Sequence, residues 1–300
     1  MVGTVKKCIK ILFKKAVRVD RTTLEELQNV IVEDTYFKLD YRNYQRFIIA
    51  VDWLNLFVHP AYLQMASLPM QLSLLLDRRS PFNLLGLVHI HNEIIQQPNL
   101  IKGQPMSLCC RFGRVFSHSK GVAFEVVTQA YQKEKRVYQA TATYLDRRVK
   151  TADGILASPD HLPLVNDDEN RSRRTLSNLY FDRSVGRRYA GISSDYNPIH
   201  LSAVSAKLFG FKRAIAHGMF SMACAVSKEE EVLDFKAPDE PVIIKSDFFK
   251  PILLPANVKV QSGPYKMDRL IILQPEPQTA NPYLIVQYYR GQASRLHRHI

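Results

Sequence analysis

The stretch Tyr189-Ala190-Gly191-Ile192-Ser193-Ser194-Asp195-Tyr196-Asn197-Pro198-Ile199-His200 gathers an acid, an amide, an imidazole and two hydroxyls into a few positions. Asp195 and His200 stand five apart, so on a straight helix they would point in different directions. Pro198 also disfavours helix at Asn197. The spacing therefore predicts a looped overhang, in which both side chains can turn toward one point. A carboxylate and an imidazole converging on one water molecule form a general base and acid pair. Asn197-Pro198 is a turn former, and the Asn197 side chain can bond back to the local backbone. The same residues also fit an ordinary loop, with His200 capping the helix that follows. Spacing alone leaves both readings open.

The stretch resembles the signature of MaoC-like dehydratases and type-2 (R-specific) enoyl-CoA hydratases: an aromatic residue, then Ser-Gly-Asp-x-Asn-Pro-hydrophobic-His. The matching positions are Tyr189, Ser193, Asp195, Asn197, Pro198, Ile199 and His200. A second block, Ala206, Gly210, Phe211, Ile215, His217, Gly218 and Met219, is similar to the family's downstream Gly-Phe and His-Gly-Met elements. Ser194 departs from the pattern, standing where the family usually has Gly. If that position requires a positive φ, the Ser costs roughly 1 kcal/mol.

The resemblance implies Asp195 and His200 as catalytic residues, supported by Asn197, Ser193 and Tyr189. The implied reaction is reversible hydration of a trans-2-enoyl-CoA to a (3R)-3-hydroxyacyl-CoA in fatty-acid metabolism. Asp195 would accept a proton from water while His200 delivers one to the α-carbon. The CoA thioester is the substrate, so no cofactor is implied, and no metal. Gly218, in the first turn of an expected helix from Ile215 to Val226, is the candidate oxyanion contact, because free amides at a helix N-terminus can stabilise the thioester oxygen. A Gly there could equally relieve crowding between helix and sheet. Arg187, Arg188, Lys212 and Arg213 are candidate contacts for the CoA phosphates, within a basic set that also includes Arg171, Arg173, Arg174, Arg183 and Lys207. Two rival readings remain: an acyl-carrier-protein-dependent 3-hydroxyacyl dehydratase, and a non-catalytic acyl-CoA-binding or assembly protein in which Ser194 marks lost activity.

Such a loop must be carried by larger elements. Tyr62 to Leu76 is apolar nearly all round and reads as an enclosed helix, with Pro69 expected to kink it. Strand-like runs follow at Leu84 to Ile95, Met106 to Phe116, Val122 to Tyr131 and Arg136 to Leu145. Asp146 to Thr175 turns polar and irregular, a linker by composition. The order then returns: an apolar helix from Ile215, then runs at Val242 to Phe249, Asn257 to Gln261, Leu270 to Leu273 and Tyr283 to Tyr289. One long helix wrapped by a curved antiparallel sheet, used twice, is an α+β double hotdog. The expected division is an N-terminal unit over 1–150, a linker over 151–174 and a C-terminal unit with the motif over 175–300. The Leu84-Leu85-Gly86-Leu87-Val88-His89 run is similar to the N-terminal half of bacterial double-hotdog members. It carries no Asp-x-Asn-Pro-x-His, so that unit is expected to be non-catalytic and to shape the acyl pocket.

The chain of 300 residues has a net charge of +13, which suits an anionic partner without choosing among a phosphorylated cofactor, nucleic acid and a membrane face. No zinc-finger spacing or aromatic RNA-binding motif accompanies the charge, which argues against nucleic acid. The longest uncharged stretch, Trp53 to Leu76, holds Asn55, His59, Gln64 and Gln71 and is too polar to span lipid. A short basic amphipathic segment over Lys6 to Arg18 is expected to pack on its own protein, and no secretory cleavage site follows it. Cys8, Cys109, Cys110 and Cys224 show no paired spacing, so reduced thiols and a cytoplasmic location are expected. The expected partners are an acyl-CoA or acyl-carrier-protein thioester and a second copy of the chain as a homodimer. His89, His91 and Glu93 are expected to share one face of a strand, a spacing that suits metal ligands but fits a polar outer face better. Gly191-Ile192-Ser193 begins like a nucleophile elbow, yet Asp195 stands where its closing Gly would be. Neither a phosphate-binding Gly-rich loop nor a dinucleotide fingerprint is present.

Overall fold

The computed structural model describes residues 18–84, 86–151, 173–233, 238–265, 268–276 and 281–291. The expected basic segment over Lys6 to Lys15, most of the expected linker, and Arg171 lie outside them. The first half runs β1 (Arg18–Val19), α1 (Arg21–Gln28), β2 (Ile31–Phe37), α2 (Tyr41–Val51), α3 (Tyr62–Ala66), α4 (Leu68–Leu76), β3 (Val88–Gln96), β4 (Met106–His118), β5 (Gly121–Gln132), β6 (Lys135–Asp146) and β7 (Lys150–Thr151). The second runs β8 (Arg174–Phe181), α5 (Val185–Ser193), α6 (Pro198–Leu201), α7 (Ala203–Lys207), α8 (Gly218–Val232), β9 (Val242–Phe248), β10 (Ala256–Tyr265), β11 (Asp268–Pro275) and β12 (Leu284–Arg290).

The long strands form one 10-stranded sheet in the order β2-β4-β5-β6-β3-β9-β12-β11-β10-β8. Within each half the strands, numbered by their own sequence order, fall as first, third, fourth, fifth, second. The two halves therefore repeat one topology, and they join through their second strands, β3 antiparallel to β9 with Asn92 opposite Ser246 and Ile94 opposite Ile244. This is the double hotdog, and its helices lie on the inner face of the joined sheet. The apolar core does not stop at the join. Phe47, Tyr62, Leu63 and Ile94 from the first half are continuous with Tyr189, Phe220, Val226 and Ile271 from the second.

The central helices differ. In the first half Ser67 breaks the apolar run into α3 and α4, and Pro69 falls in the first turn of α4, where its missing N–H costs no intrahelical bond. The division is local: Ser67 keeps a right-handed backbone at φ −81° and ψ −1°, and the bonds from Ser67 N–H to Leu63 O and from Gln71 N–H to Ser67 O carry the helical path across it. In the second half α8 is unbroken, but it starts at Gly218 rather than Ile215 and continues past Val226. Ile215 is held extended by a bridge to Leu253, and its N–H donates to Ile199 O at 3.0 Å. The far end runs on through Glu229 and Glu230. Both are buried, Glu229 against Arg269 and Glu230 against Arg290 with Tyr288.

Polar ties also cross between the halves. Asn55 donates to Glu230 at 3.1 Å, Lys228 pairs with Asp52, and His59 bonds the Ala223 carbonyl at 3.2 Å. His59 is fully buried, with Nδ1 accepting the Ala61 N–H at 3.0 Å, so Nε2–H is the donor to Ala223. Burial pushes the His59 pKa from its ordinary value down to about 3. Below pH 6.5 the unfolded chain takes up a proton that the folded one refuses, so this contribution is complete above pH 6.5 and shrinks as pH falls toward 3. At pH 5.5 the loss from this one group is about 1.4 kcal/mol. Thermal denaturation at pH 7.5 and 5.5 should show it as a lower Tm in acid, with a smaller difference in His59→Gln than in the wild type.

Candidate active site

Helix α5 ends on Ser194, whose backbone is left-handed at φ 61° and ψ 15°. The positive φ expected of the Gly position is therefore required, and a Ser supplies it. Its N–H donates to Ala190 O at 2.9 Å, and the chain leaves the helix as the expected overhang. Ser193 Oγ donates to Tyr189 O at 2.9 Å and accepts the Asp195 N–H at 3.2 Å. Asp195 Oδ1 accepts the Asn197 N–H at 3.2 Å, and Asn197 Oδ1 caps α6 by accepting the Ile199 N–H at 3.4 Å. Ser193 and Asn197 thus hold the loop. From the other half, Asn43 of α2 donates to Ile192 O at 2.8 Å and pins the last turn of α5.

His200 sits in α6, 8% exposed, and its Nδ1–H donates to Ile215 O at 2.9 Å. Fixing the proton on Nδ1 leaves Nε2 as an acceptor in the neutral ring. The ring stacks on His217, centroids 3.7 Å apart and planes 23° from parallel. His217 donates from Nε2 to Asp195 O at 3.1 Å, and the same atom lies 3.8 Å from Asp195 Oδ2. One ligand atom each from Asp195, His200 and His217 all lie within 4.8 Å of one another. Burial lowers the His200 pKa, opposed by the Asp195 charge and the Ile215 carbonyl. Burial and the His200 ring lower that of His217 well below the ordinary value. Tyr189 is buried against His217 with its ring centroid 5.0 Å away, and burial and the Asp195 charge push its hydroxyl up. Tyr189 Oη and His217 Nδ1 are buried without a hydrogen-bond partner. A small polar molecule held against Asp195 and His200 would meet a carboxylate and a ring acceptor. The same triad has the spacing for a metal ion.

In the sequence His217 stands out only as part of the downstream block, and Gly186 does not stand out at all. A Cβ on Gly186 would lie 2.1 Å from His200 O, so only Gly lets α5 and α6 approach this closely. The signal is a Gly in the first turn of an otherwise ordinary helix, which spacing does not interpret. Gly218 begins α8, and no side chain caps that helix, so its first-turn amides are free to donate. A Cβ at Gly218 would also meet the Phe248 ring at 2.9 Å, so relief of crowding is real there too.

The basic candidates separate. Arg187 donates to Leu201 O at 3.0 Å, and Arg188 is paired with Asp182 at 2.6 Å. Lys212 and Arg213 lie exposed. His89, His91 and Glu93 do not share a face as expected, because β3 has a bulge between His89 and His91. His91 bonds Asp247 at 2.8 Å, Glu93 lies 3.7 Å from Lys245, and His89 stacks on Tyr144 instead. Among the described residues, no helix is long and apolar enough to cross a membrane. Cys109, Cys110 and Cys224 are free thiols.

Two substitutions test this geometry. Ser194→Gly should raise stability by about 1 kcal/mol, read as a higher Tm, because Gly occupies the left-handed region without strain. Gly186→Ala should fold less stably and displace His200, visible as an altered His200 imidazole resonance by NMR.

Residues 168–268 match the MaoC like domain. 3-Hydroxyacyl-thioester dehydratase X of Mycobacterium tuberculosis (strain ATCC 25618 / H37Rv) is 28% identical over 190 residues, covering 63% of this chain and 64% of that protein. The match thus spans a little less than two thirds of the relative. The crystal structure of mycobacterial HtdX superposes with a TM-score of 0.72 at 23% identity, over 87% of this chain and 100% of that one. A MaoC-like dehydratase from Phytophthora capsici gives 0.72 at 14%, over 90% and 98%. A third structure, a Mycobacterium tuberculosis protein described as having a double hotdog fold, gives 0.50 at 9%, over 92% and 96%. The chain is therefore a double-hotdog protein whose second half carries a MaoC-like dehydratase domain.

Proposed function

We propose that the protein is a hydro-lyase that reversibly adds water across the double bond of a trans-2-enoyl thioester, giving the 3-hydroxyacyl thioester of fatty-acid metabolism. The observation that carries this reading is the free acceptor Nε2 of His200 beside the Asp195 carboxylate. Asp195 and His200 hold the water between them. As its oxygen bonds the β-carbon, its proton passes to His200 Nε2, and the π electrons move onto the thioester as an enolate. The first-turn amides of α8, with that of Gly218 foremost, donate to the enolate oxygen. The imidazolium then returns the proton to the α-carbon, completing the addition. The Nδ1–H bond to Ile215 supports His200, rather than Asp195, as the group that takes the proton. Asp195 orients the water and stabilises the transient imidazolium. The (3R) product, the cytoplasmic location and a homodimer belong to the same reading.

CoA is the carrier proposed, with Lys212 and Arg213 as phosphate contacts. Arg187 and Arg188 are already engaged with Leu201 and Asp182. An acyl-carrier-protein thioester presents the same reacting atoms, so both carriers belong in the assay.

The test follows loss of the conjugated thioester with crotonyl-CoA and longer enoyl-CoAs, beside the same acyl groups on an acyl carrier protein. Saturable hydration is expected, and Asp195→Asn and His200→Ala should each lower kcat at least 100-fold without unfolding the protein. Binding without turnover in the wild type would favour the non-catalytic rival. Because His200 must be unprotonated to accept, kcat/KM should fall on the acid side, with its midpoint below pH 6.5 as the lowered pKa requires. A metal-activated water would use the same triad, so an arm with EDTA separates the two. Full activity after chelation supports the direct mechanism, and loss restored by added metal overturns it.

A further inference from the structure

We propose that the first half of the chain supplies a substrate-contacting residue, His89, whose imidazole forms the wall of the active site opposite the N-terminus of α8. The proposal rests on the thioester reading above for its ligand.

The placement comes from the bulge in β3. Beyond it Asn92, Ile94 and Gln96 face the buried helix side while His91 and Glu93 face outward. Across the bulge the alternation is broken, and His89 turns to the inner face with its cross-strand partner Tyr144. Its ring stacks on Tyr144 with centroids 4.8 Å apart and on Phe248 of β9 with centroids 4.7 Å apart. Phe248 is the ring that a Cβ on Gly218 would touch. A continuous series of contacts therefore runs from His89 through Phe248 to Gly218, the residue next to His217, which stacks on His200.

Among the described residues nothing bonds the ring's outer nitrogen. His89 Nε2 is buried and has no hydrogen-bond partner among the described residues, which is unfavourable. It joins Tyr189 Oη and His217 Nδ1 as an orphaned polar atom near the same carboxylate. The Asp195 charge reaches both His89 and Tyr144, which places the pair on the rim of the catalytic cluster. Burial lowers the His89 pKa to about 3, so the ring meets a ligand as a neutral hydrogen-bonding group and not as a cation. A neutral imidazole between two aromatic rings suits the thioester segment of the substrate, whose carbonyl oxygen would bond the first-turn amides of α8 on the other side of Phe248. A ring with only a packing role would leave its nitrogen indifferent to ligand.

The experiment compares wild type, His89→Phe and His89→Gln. His89→Phe keeps the aromatic stack and removes the nitrogen, whereas His89→Gln keeps a polar group. His89→Phe should hold the wild-type Tm or exceed it, yet lose at least tenfold in kcat/KM for crotonyl-CoA and bind the saturated analogue butyryl-CoA more weakly. His89→Gln should recover part of both. A folded His89→Phe with kcat/KM and butyryl-CoA affinity within twofold of wild type overturns the proposal. Should His89→Phe fail to fold, imidazole nitrogen NMR of the wild type decides: the His89 Nε2 resonance shifts on adding butyryl-CoA if it contacts the ligand, and an unmoved resonance overturns the proposal. Wild-type binding of butyryl-CoA without any hydration defeats the hydratase reading alone, since His89 is then judged on binding. Absence of binding by the wild type overturns both.

Discussion

The pairing of β3 with β9 is the constraint on which the rest depends. Through it two sheets of identical topology become one, so the inner faces of both halves look onto a shared set of helices. Without that seam Phe248 would not meet His89, and α2 would have no fixed relation to α5. The core confirms the dependence, because its largest apolar cluster draws on both halves without a break. The active-site loop then needs only short-range capping, from Ser193 and Asn197, to hold Asp195 and His200 in place.

The site itself is assembled at some cost in stability. Ser194 occupies a left-handed conformation that favours Gly, buried imidazoles are kept neutral, and several polar atoms lack partners. Each feature is unfavourable in the resting protein and consistent with a ligand that completes the set. The stacked His200 and His217 show how the cost is contained. Each ring donates from one nitrogen to a backbone carbonyl, Ile215 O and Asp195 O, which fixes its tautomer and leaves the other nitrogen as an acceptor.

Much of this was legible in the sequence because the loop is local. Pro198 and Asn197 announce the overhang, and the motif names Asp195 and His200, which the fold then gathers with His217. The strands with buried alternation were also readable. β2 and β8 were not: both are edge strands at the ends of the joined sheet, β2 with mostly exposed side chains and β8 with only Phe181 buried, so no hydrophobic period marks them. The start of α8 was misread because Ile215 is apolar and helix-like in sequence, while its backbone is committed to Leu253 and Ile199, contacts that only tertiary structure supplies. His89 was placed on the wrong face for a related reason: a single bulged residue reverses the alternation, and nothing in Val88-His89-Ile90-His91 announces it. Gly186 was invisible because its role is to make room for His200 O, a residue from another helix.

The repeated topology explains why one half carries the motif and the other does not. The helix that follows the edge strand of each half, α2 after β2 and α5 after β8, ends on a left-handed residue that is not Gly, Asp52 at φ 57° and Ser194 at φ 61°. The turn is therefore demanded by the fold and not by the chemistry, which weakens Ser194 as a sign of lost activity. Beyond the turn the two halves diverge. From Asp52 the chain reaches α3 over a short stretch ending in His59-Pro60-Ala61, whereas from Ser194 it makes the long excursion through α6 and α7 before His217 opens α8. Each central helix is preceded by a histidine, His59 three residues before α3 and His217 immediately before α8. His59 has both ring nitrogens bonded, to Ala61 and Ala223, and serves to join the halves. His217 has Nε2 bonded to Asp195 O and Nδ1 buried without a hydrogen-bond partner among the described residues. The longer excursion, which brings an acid and a second imidazole against the ring, is what turns a structural histidine into part of a site.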